Sequence, residues 1–589
     1  MCGSICENHL QTPKKMLTRR QIYTLLIVIT TGLMLGRITA VNRTDMQQFQ
    51  QSRFNAVNAT YAERESLLRA DENATAEQFA ALEERKQQAL ANEIRELPVF
   101  CANDRSRWNT IRVLVEPEMR VQRPVPQPDG TERIETVWYA IDKAQSVRGW
   151  DTIDMVKHNN VATGLSFIKV LQNTCTELTE QATGLIEKIS GNKQDGPAAE
   201  SILSEQPNVE GETSSQMAPG YLYSSKPPLL PTLMAIPYAL MYWASSGKLS
   251  LENEPFLVVR VTLIICNLLP LVLCWFLLSR LIEQFGTTNW GRVFSVAFIC
   301  FGTFLSTFAV TLNNHIPGAV SVTIAFYCTV RIVYDKEIRW RYFAIAGFFG
   351  AFAVACEKPA LLFFCLIGIW LFWHQWRRTL LLFMPIALLV AAAFFTANYA
   401  AHKTLMPAYS QPDWYIYQYE RGKNSDGTPR IVDSYWKNPQ GLDKGEEERG
   451  TYIFHAAVGH HGLFSLTPVW VLSFVGIGIW LFDRRYRSMA LLILFTSVVV
   501  FAFYMGLKQE LRNYGGSTSA LRWLFWLAPL WSVTLVAAAD QFSKNGVSRA
   551  IASACLIVSA MSAAYPIWNP WTMPWTYNLM QYIGVATAS

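Results

Sequence analysis

Six short stretches combine residue types that do chemistry. In "CANDRSRWNT" (101–110) Asp104 stands beside Arg105 and Arg107. A carboxylate there serves as a base, or it caps a helix or pairs with Arg107 one turn on. In "SSKPPL" (224–229) two prolines stiffen the chain after Lys226, whose ammonium suits either a phosphate or snorkelling at a membrane interface. "CEKP" (356–359) breaks an apolar stretch with Glu357 and Lys358, and charge at such a boundary is costly unless it has a use. "LNNHIPG" (312–318) supplies Asn314 and His315, and "GHHGLFSLTP" (459–468) supplies His460 and His461. Adjacent histidines point in different directions on a helix, and a third metal ligand would have to come from His315 or a distant acid. Substrate contact or loop hydrogen bonding is therefore preferred, with no metal ligand assigned, no cofactor expected and divalent-metal dependence left open. "RNYGGSTSALRW" (512–523) joins Tyr514, Gly515 and Gly516 to Arg522, a glycine turn with an arginine that suits a phosphate or a sugar ring.

Something must hold these stretches, and composition says what. Of 589 residues, 51% are hydrophobic and only 16% charged, which is the balance of a polytopic membrane protein. The 11 cysteines are scattered without CxxC spacing, so no zinc or redox site is indicated. Cys101 with Cys175 is the one disulfide candidate if both lie outside the cytoplasm. A net charge of +6 would suggest an anionic partner in a soluble protein. Here the basic residues flank apolar runs, so they read as topology signals and no nucleic-acid partner is expected.

The first apolar run (22–41) follows Lys14, Lys15, Arg19 and Arg20 and is long enough to cross a bilayer as an uncleaved anchor. Residues 1–20 are then cytoplasmic and 21–41 the first span. A polar region follows, with helical spacing over 44–97 that predicts a hairpin and a disordered composition over 191–220. Trp108, Ile111, Leu114 and Val115 have the spacing of a surface helix beginning near Asn103. Apolar runs resume over 256–398 and 463–566. If residues 229–247 also crossed, "DKEIRWR", "WRR", "DRRYR" and "KNGVSR" would all fall outside, against the positive-inside rule. Laid along the surface instead, as Pro231 and Pro237 favour, that segment leaves them inside. The prediction is about 11 transmembrane helices, large extracytoplasmic loops over 42–255 and 399–462, and an external tail over 567–589 with Trp568, Trp571 and Trp575 as an aromatic belt.

With that topology the six stretches collect at the outer membrane surface, which was no part of choosing it. Their residues and order resemble the GT-C superfamily of polyprenyl-phosphate-sugar-dependent glycosyltransferases, in the branch of protein O-mannosyltransferases and lipid A aminoarabinose transferases. "DRSRW" matches that family's acidic motif at Asp104, Arg107 and Trp108, with Arg105 where a second acid usually stands. Lys226, Pro227 and Pro228 match its K-P-P stretch, Arg260 an arginine entering the next span, and Glu357, Lys358 and Pro359 a K-G-P-like turn without the glycine. A long segment before Asp104 and the insert before Lys226 depart from the family, so neither branch's sugar specificity carries over.

The resemblance implies an α-helical, GT-C-like polytopic membrane protein with juxtamembrane helices, in the cell membrane, a bacterial inner membrane being the expected one. It implies transfer of a sugar from a polyprenyl-phosphate lipid to a lipid, glycan or protein acceptor on the extracytoplasmic face, with inversion. Asp104 would be the base, and Lys226, Arg260, Lys358 and Arg522 would meet the donor phosphate. Arg107, Asn314, His315, Glu357, His460, His461, Tyr514 and Gly515 would contact substrate. Oligosaccharide transfer or polymerisation from a diphosphate-linked donor is the alternative enzyme. A transporter would carry charges near mid-span and repeated halves, neither of which the sequence shows. A scaffold gives no reason for the placement of Lys226, Lys358 and Arg522.

Overall fold

The computed structural model describes residues 18–40, 47–71, 74–93, 98–127, 129–147, 149–159, 220–423, 428–566 and 568–584. Cys175 and nearly all of the polar insert lie outside the described residues. In chain order, α1 (Arg19–Ala40) is followed by two polar helices that pack on each other, α2 (Gln47–Ala70) and α3 (Ala76–Glu93). Next come α4 (Ala102–Val115), strands β1 (Val121–Pro126), β2 (Glu132–Val137), β3 (Met155–His158) and β4 (Tyr221–Ser224), and helix α5 (Leu229–Ala244). The helix bundle begins with α6 (Pro255–Phe285), α7 (Asn289–Phe301), α8 (His315–Val333), α9 (Trp340–Cys356), α10 (Ala360–Arg378) and α11 (Met384–His402). Strands β5 (Gln418–Lys423) and β6 (Pro429–Asp433) precede its last members, α12 (Val469–Phe482), α13 (Arg487–Met505), α14 (Ala528–Phe542) and α15 (Gly546–Ala564).

Apolar runs become helices because hydrocarbon leaves every backbone polar group to be paired within its own segment. Among the described residues eight helices are long and apolar enough to cross a membrane, the set of an integral membrane protein. One of them, Ala360–His402, is 43 residues long but is not straight. Gln375 has φ −152° and ψ 62°, and the rings of Phe364 and Phe383 stack 5.3 Å apart. In an unbroken helix those two residues would be about 28 Å apart at 1.5 Å per residue, so α10 and α11 are antiparallel arms. Eleven crossings would count these arms separately and add α9 and α12, of 17 and 14 residues; that count stays a proposal.

The centre of the bundle is α8 and the run Arg522–Phe542, 89% and 94% of whose apolar windows are buried, against 22% for α1 and α15. Gly476 lets α12 approach α14 closely, since a Cβ there would strike the Thr534 carbonyl. Helix α5 has 16 residues, roughly 24 Å, which is short for a hydrocarbon core of about 30 Å. It packs against α4, burying Leu230, Met234 and Tyr238, and exposes a stripe of Leu233, Ile236, Leu240 and Trp243.

Helix α4 differs from the surface helix expected. It starts at Ala102, and its polar residues Asn103, Asp104, Arg105, Arg107, Asn109 and Arg112 are as buried as Trp108 and Ile111. The reason is that several of these polar groups meet polar partners: Arg112 pairs with Glu116 at 2.7 Å, Glu116 accepts from Tyr238 of α5, and Asn109 donates to the Trp150 carbonyl. Strands β3 and β4 pair antiparallel, Met155 opposite Ser224, which carries Asp154 to the segment before Lys226. The second large loop docks on the first, with Lys157 Nζ donating to the Gln418 carbonyl at 2.9 Å and Trp436 Nε1 to the Ile153 carbonyl at 3.0 Å.

The four basic segments share the opposite end of the bundle. Asp335 accepts from Gln284, Tyr334 meets Trp370 shortly before "WRR", Phe285 meets Tyr486, and Asp540 accepts from the Thr287 and Thr288 backbone. Arg19, at the start of α1, joins Glu283 there at 2.8 Å.

Candidate functional site

At the other end a continuous chain of polar contacts runs through five elements. It begins at Asp104 in the first turn of α4, whose two carboxylate oxygens accept from the backbone N–H of Phe100 at 3.2 Å and of Leu312 at 3.1 Å. One turn on, Arg107 donates to Asn103 and, through Nη2, to Asn314 Oδ1 at 2.6 Å. Asn314 Nδ2 donates to Glu357 Oε1 at 2.8 Å, and the same oxygen lies 2.6 Å from His315 Nδ1. His315 Nε2 faces Arg522 Nη1 at 3.2 Å. An arginine only donates, so Nε2 is the acceptor and the Nδ1–H points at Glu357. The histidine thereby transmits the position of Glu357 to Arg522.

Arg522 is gripped from two more sides. Its Nε and Nη2 donate to the Gly515 carbonyl at 3.0 and 2.7 Å, and its guanidinium lies 5.0 Å from the centre of the Trp571 ring. Gly515, at φ 92°, makes the turn possible, and a Cβ there would sit 2.9 Å from Arg522 Nε. The glycine turn thus aims an arginine with its carbonyl. Trp571 Nε1 donates to Thr311 Oγ1 at 3.1 Å, which returns the chain of contacts to the residue before Leu312.

Lys226 approaches from the β4–α5 junction. Its Nζ is 2.9 Å from Asp154 Oδ1, with 19% of the lysine side chain and 13% of the aspartate side chain exposed. The Asp154 carbonyl accepts from Ser106 Oγ at 2.6 Å and from the Ser225 N–H at 3.1 Å, so α4, β3 and the lysine loop meet at this residue. Burial draws the Lys226 ammonium below its ordinary pKa, Asp154 opposes the shift, and Arg107 and Arg522 add to it. Burial likewise lowers Arg107 to about 10, with Asp154 opposing and Arg522 adding. Three cations therefore lie within electrostatic reach of one another. Asp104 is pushed up to about 6 by burial, against the backbone N–H groups that favour its charge.

The remaining candidates divide. His461 stacks on Tyr514 at 4.7 Å, and His460 stacks on His455 at 3.9 Å. Burial, reinforced by His455, holds His460 down at about 3, so it is neutral. These rings are the wall behind Gly515. Lys358 is exposed and lies 5.5 Å from the centre of the Tyr409 ring, next in sequence to Glu357 but outside the contact chain. Arg260 lies over Phe256 of its own helix at 5.3 Å. Among the described residues no three histidine, cysteine or acidic side chains are grouped to hold a metal ion.

Two participants were not read from the sequence. Asp154, in "WDTIDMVKH", carries no motif; the signal was the strand pairing of "MVKH" with "YLYS". Trp571 was expected in an aromatic belt, but it is buried under Arg522, and Trp575 also turns inward to donate to Ser562. Only Trp568 of the three is exposed, because the other two indole N–H groups find buried hydroxyl partners.

No protein-family model matches this chain, and no curated protein is similar to it. Two solved structures are similar over 63% of it. One is the Archaeoglobus fulgidus oligosaccharyltransferase in complex with Zn and sulfate, at 14% identity, 48% of that chain covered and a TM-score of 0.36. The other is the archaeal oligosaccharyltransferase AglB from Archaeoglobus fulgidus in complex with an inhibitory peptide and a dolichol-phosphate, at 11% identity, 51% covered and a TM-score of 0.31. The chain spans about half the length of either. Likeness this low sets neither fold family nor activity.

Proposed function

We propose that this chain is an integral membrane glycosyltransferase, GT-C-like, that moves a sugar from a polyprenyl-phosphate donor to an acceptor at the extracytoplasmic face. The observation that carries the reading is the meeting of Arg107, Lys226 and Arg522 at one end of the bundle, next to a short helix with an exposed apolar stripe. Phosphate needs cations already in place, since charge grows on it as the sugar leaves. A polyprenyl chain needs an apolar path that begins beside that phosphate, and α5 directly follows Lys226. The four basic segments at the far end favour the site end as the outer one.

In this mechanism the acceptor oxygen attacks the anomeric carbon in line and inverts it while the phosphate departs against Arg107, Lys226 and Arg522. Asn314, His315 and Glu357 orient the two arginines. Asp104 is the base that the resemblance implies, and Asp154 is a second carboxylate near the cations. Arg260 and Lys358 are offered as further donor contacts along the lipid path. The test is to incubate the purified full chain with a panel of polyprenyl-phosphate sugars and follow release of polyprenyl phosphate by mass spectrometry. Slow hydrolysis of one donor is expected even without the acceptor, and no release or binding of any donor overturns the reading.

A further inference from the structure

We propose that Asp154, rather than Asp104, accepts the proton in this transfer, and that Lys226 holds it as a counter-ion until a donor phosphate takes the lysine. The inference rests on the donor reading above and assigns the base within it.

Among the described residues four carboxylates near the cations come into question, and three are committed elsewhere. Asp104 is 1% exposed and spans the Phe100 and Leu312 backbone N–H groups, so it ties the start of α4 to the loop before α8. Glu357 is taken by Asn314 and His315. Asp443 accepts from Asn513 at 2.6 Å and from Tyr435 at 3.0 Å. Asp154 is different, because its partner Lys226 is a cation for which a phosphate would compete. Its main chain is fixed by Ser106 and Ser225 through the carbonyl, so the carboxylate swings without loosening the fold.

The charges suit an exchange. A polyprenyl-phosphate sugar is a phosphodiester with one negative charge, equal to that of the carboxylate it would displace. A carboxylate that has lost its ammonium partner is the stronger base, so the base is armed only when donor is bound. In the step, the acceptor O–H proton passes to an Asp154 oxygen and the acceptor oxygen bonds to the anomeric carbon. The anomeric carbon–oxygen bond to phosphate breaks, and its electron pair leaves on polyprenyl phosphate, which then carries the second negative charge against Lys226, Arg107 and Arg522. With water as acceptor the same step is donor hydrolysis.

The test uses the purified full chain and the donor that it turns over, reading donor affinity and turnover separately. Asp154→Asn is expected to bind donor at least as tightly as the natural protein while turnover falls about 100-fold or more. Unchanged binding also reports an intact fold. Asp154→Glu should keep a measurable part of the rate, and added formate should restore turnover to Asp154→Ala but not to Asp104→Ala. Turnover of Asp154→Asn within about threefold of natural overturns the inference and leaves the donor reading standing. So does formate rescue of Asp104→Ala alone. If the natural protein binds no donor, the donor reading falls and the inference with it.

Discussion

Both ends of the bundle are rich in charge, but they hold it differently. At the Arg19 end the pairs are wet and mostly local: Arg331 with Asp335 one turn on and Arg339 with Glu337 two residues away, while Arg19 with Glu283, distant in sequence, is partly exposed, at 38% and 34% of its side chains. At the Arg522 end, Asp104, Arg107, His315 and Glu357 are each 5% exposed or less and joined across distant parts of the chain. Exposed pairs are worth about 0–1 kcal/mol, so the first end needs no further purpose than marking topology. Buried charge must be repaid by geometry, and apolar side chains would serve stability as well. The second end therefore keeps its charges for what they bind or orient.

That contrast is most easily broken at the Arg112–Glu116 pair, whose side chains are wholly buried beside Tyr238. Glu116→Ala should cost up to about 3–5 kcal/mol of stability, since it leaves the buried Arg112 with only the half-exposed Glu252 at 2.6 Å and removes the acceptor of Tyr238, and it should lower the thermal midpoint sharply. A midpoint close to that of the natural protein would mean that burial at this end imposes no such dependence. Next in size is Arg522→Ala, which removes a cation together with its contacts to His315 of α8, the Gly515 carbonyl and Trp571. Donor turnover should fall roughly 100- to 1000-fold, about 2.7–4 kcal/mol of transition-state stabilisation. Arg19→Ala, assayed alongside, should leave turnover within about twofold if the opposite end is topological only.

How far the sequence foretold this contrast depends on whether the information was local. Apolar runs and their basic flanks are local, and the helices and the shared end of "DKEIRWR", "WRR", "DRRYR" and "KNGVSR" emerged as expected. Asn314, His315 and Glu357 were readable because polar residues at the ends of apolar helices are conspicuous. Asp154 was not, since its value comes from a lysine 72 positions away and a β-pair spanning an insert. Trp571 was misread for the converse reason: a tryptophan near a helix end looks interfacial until Thr311 and Arg522 are known to face it. The burial of α4 was equally illegible, because its polar face reads as solvated unless β4 and α5 are there to enclose it.

Asp104 gives the pH form of the same comparison. Burial raises it from the ordinary 3.8 to about 6, so between those values the folded chain holds a proton that the unfolded chain has lost. Stability contributed by this group is therefore greatest below about pH 4, declines as pH rises to about 6, and is flat above, a swing on the order of 3 kcal/mol at 1.36 kcal/mol per unit. Asp142 is raised to about 6 as well, so the quantity to measure is the difference in thermal midpoint between the natural protein and Asp104→Asn across pH 4–7. A difference that does not vary with pH would mean that Asp104 is better solvated than its burial implies.

The smallest expected effect lies at the exposed end, and it tests whether "wet and local" is the right description. Arg331 reaches Asp335 at 2.5 Å and Glu337 at 3.4 Å, with about a third of its side chain exposed. Arg331→Ala should change stability by less than about 1 kcal/mol, and that change should shrink in salt near 1 M, where the Debye length is about 3 Å. Arg331 also sits in the last turn of α8, the helix whose first turn carries His315. If its loss altered donor turnover, the two ends would be coupled through α8, and the division between a marking end and a working end would not hold.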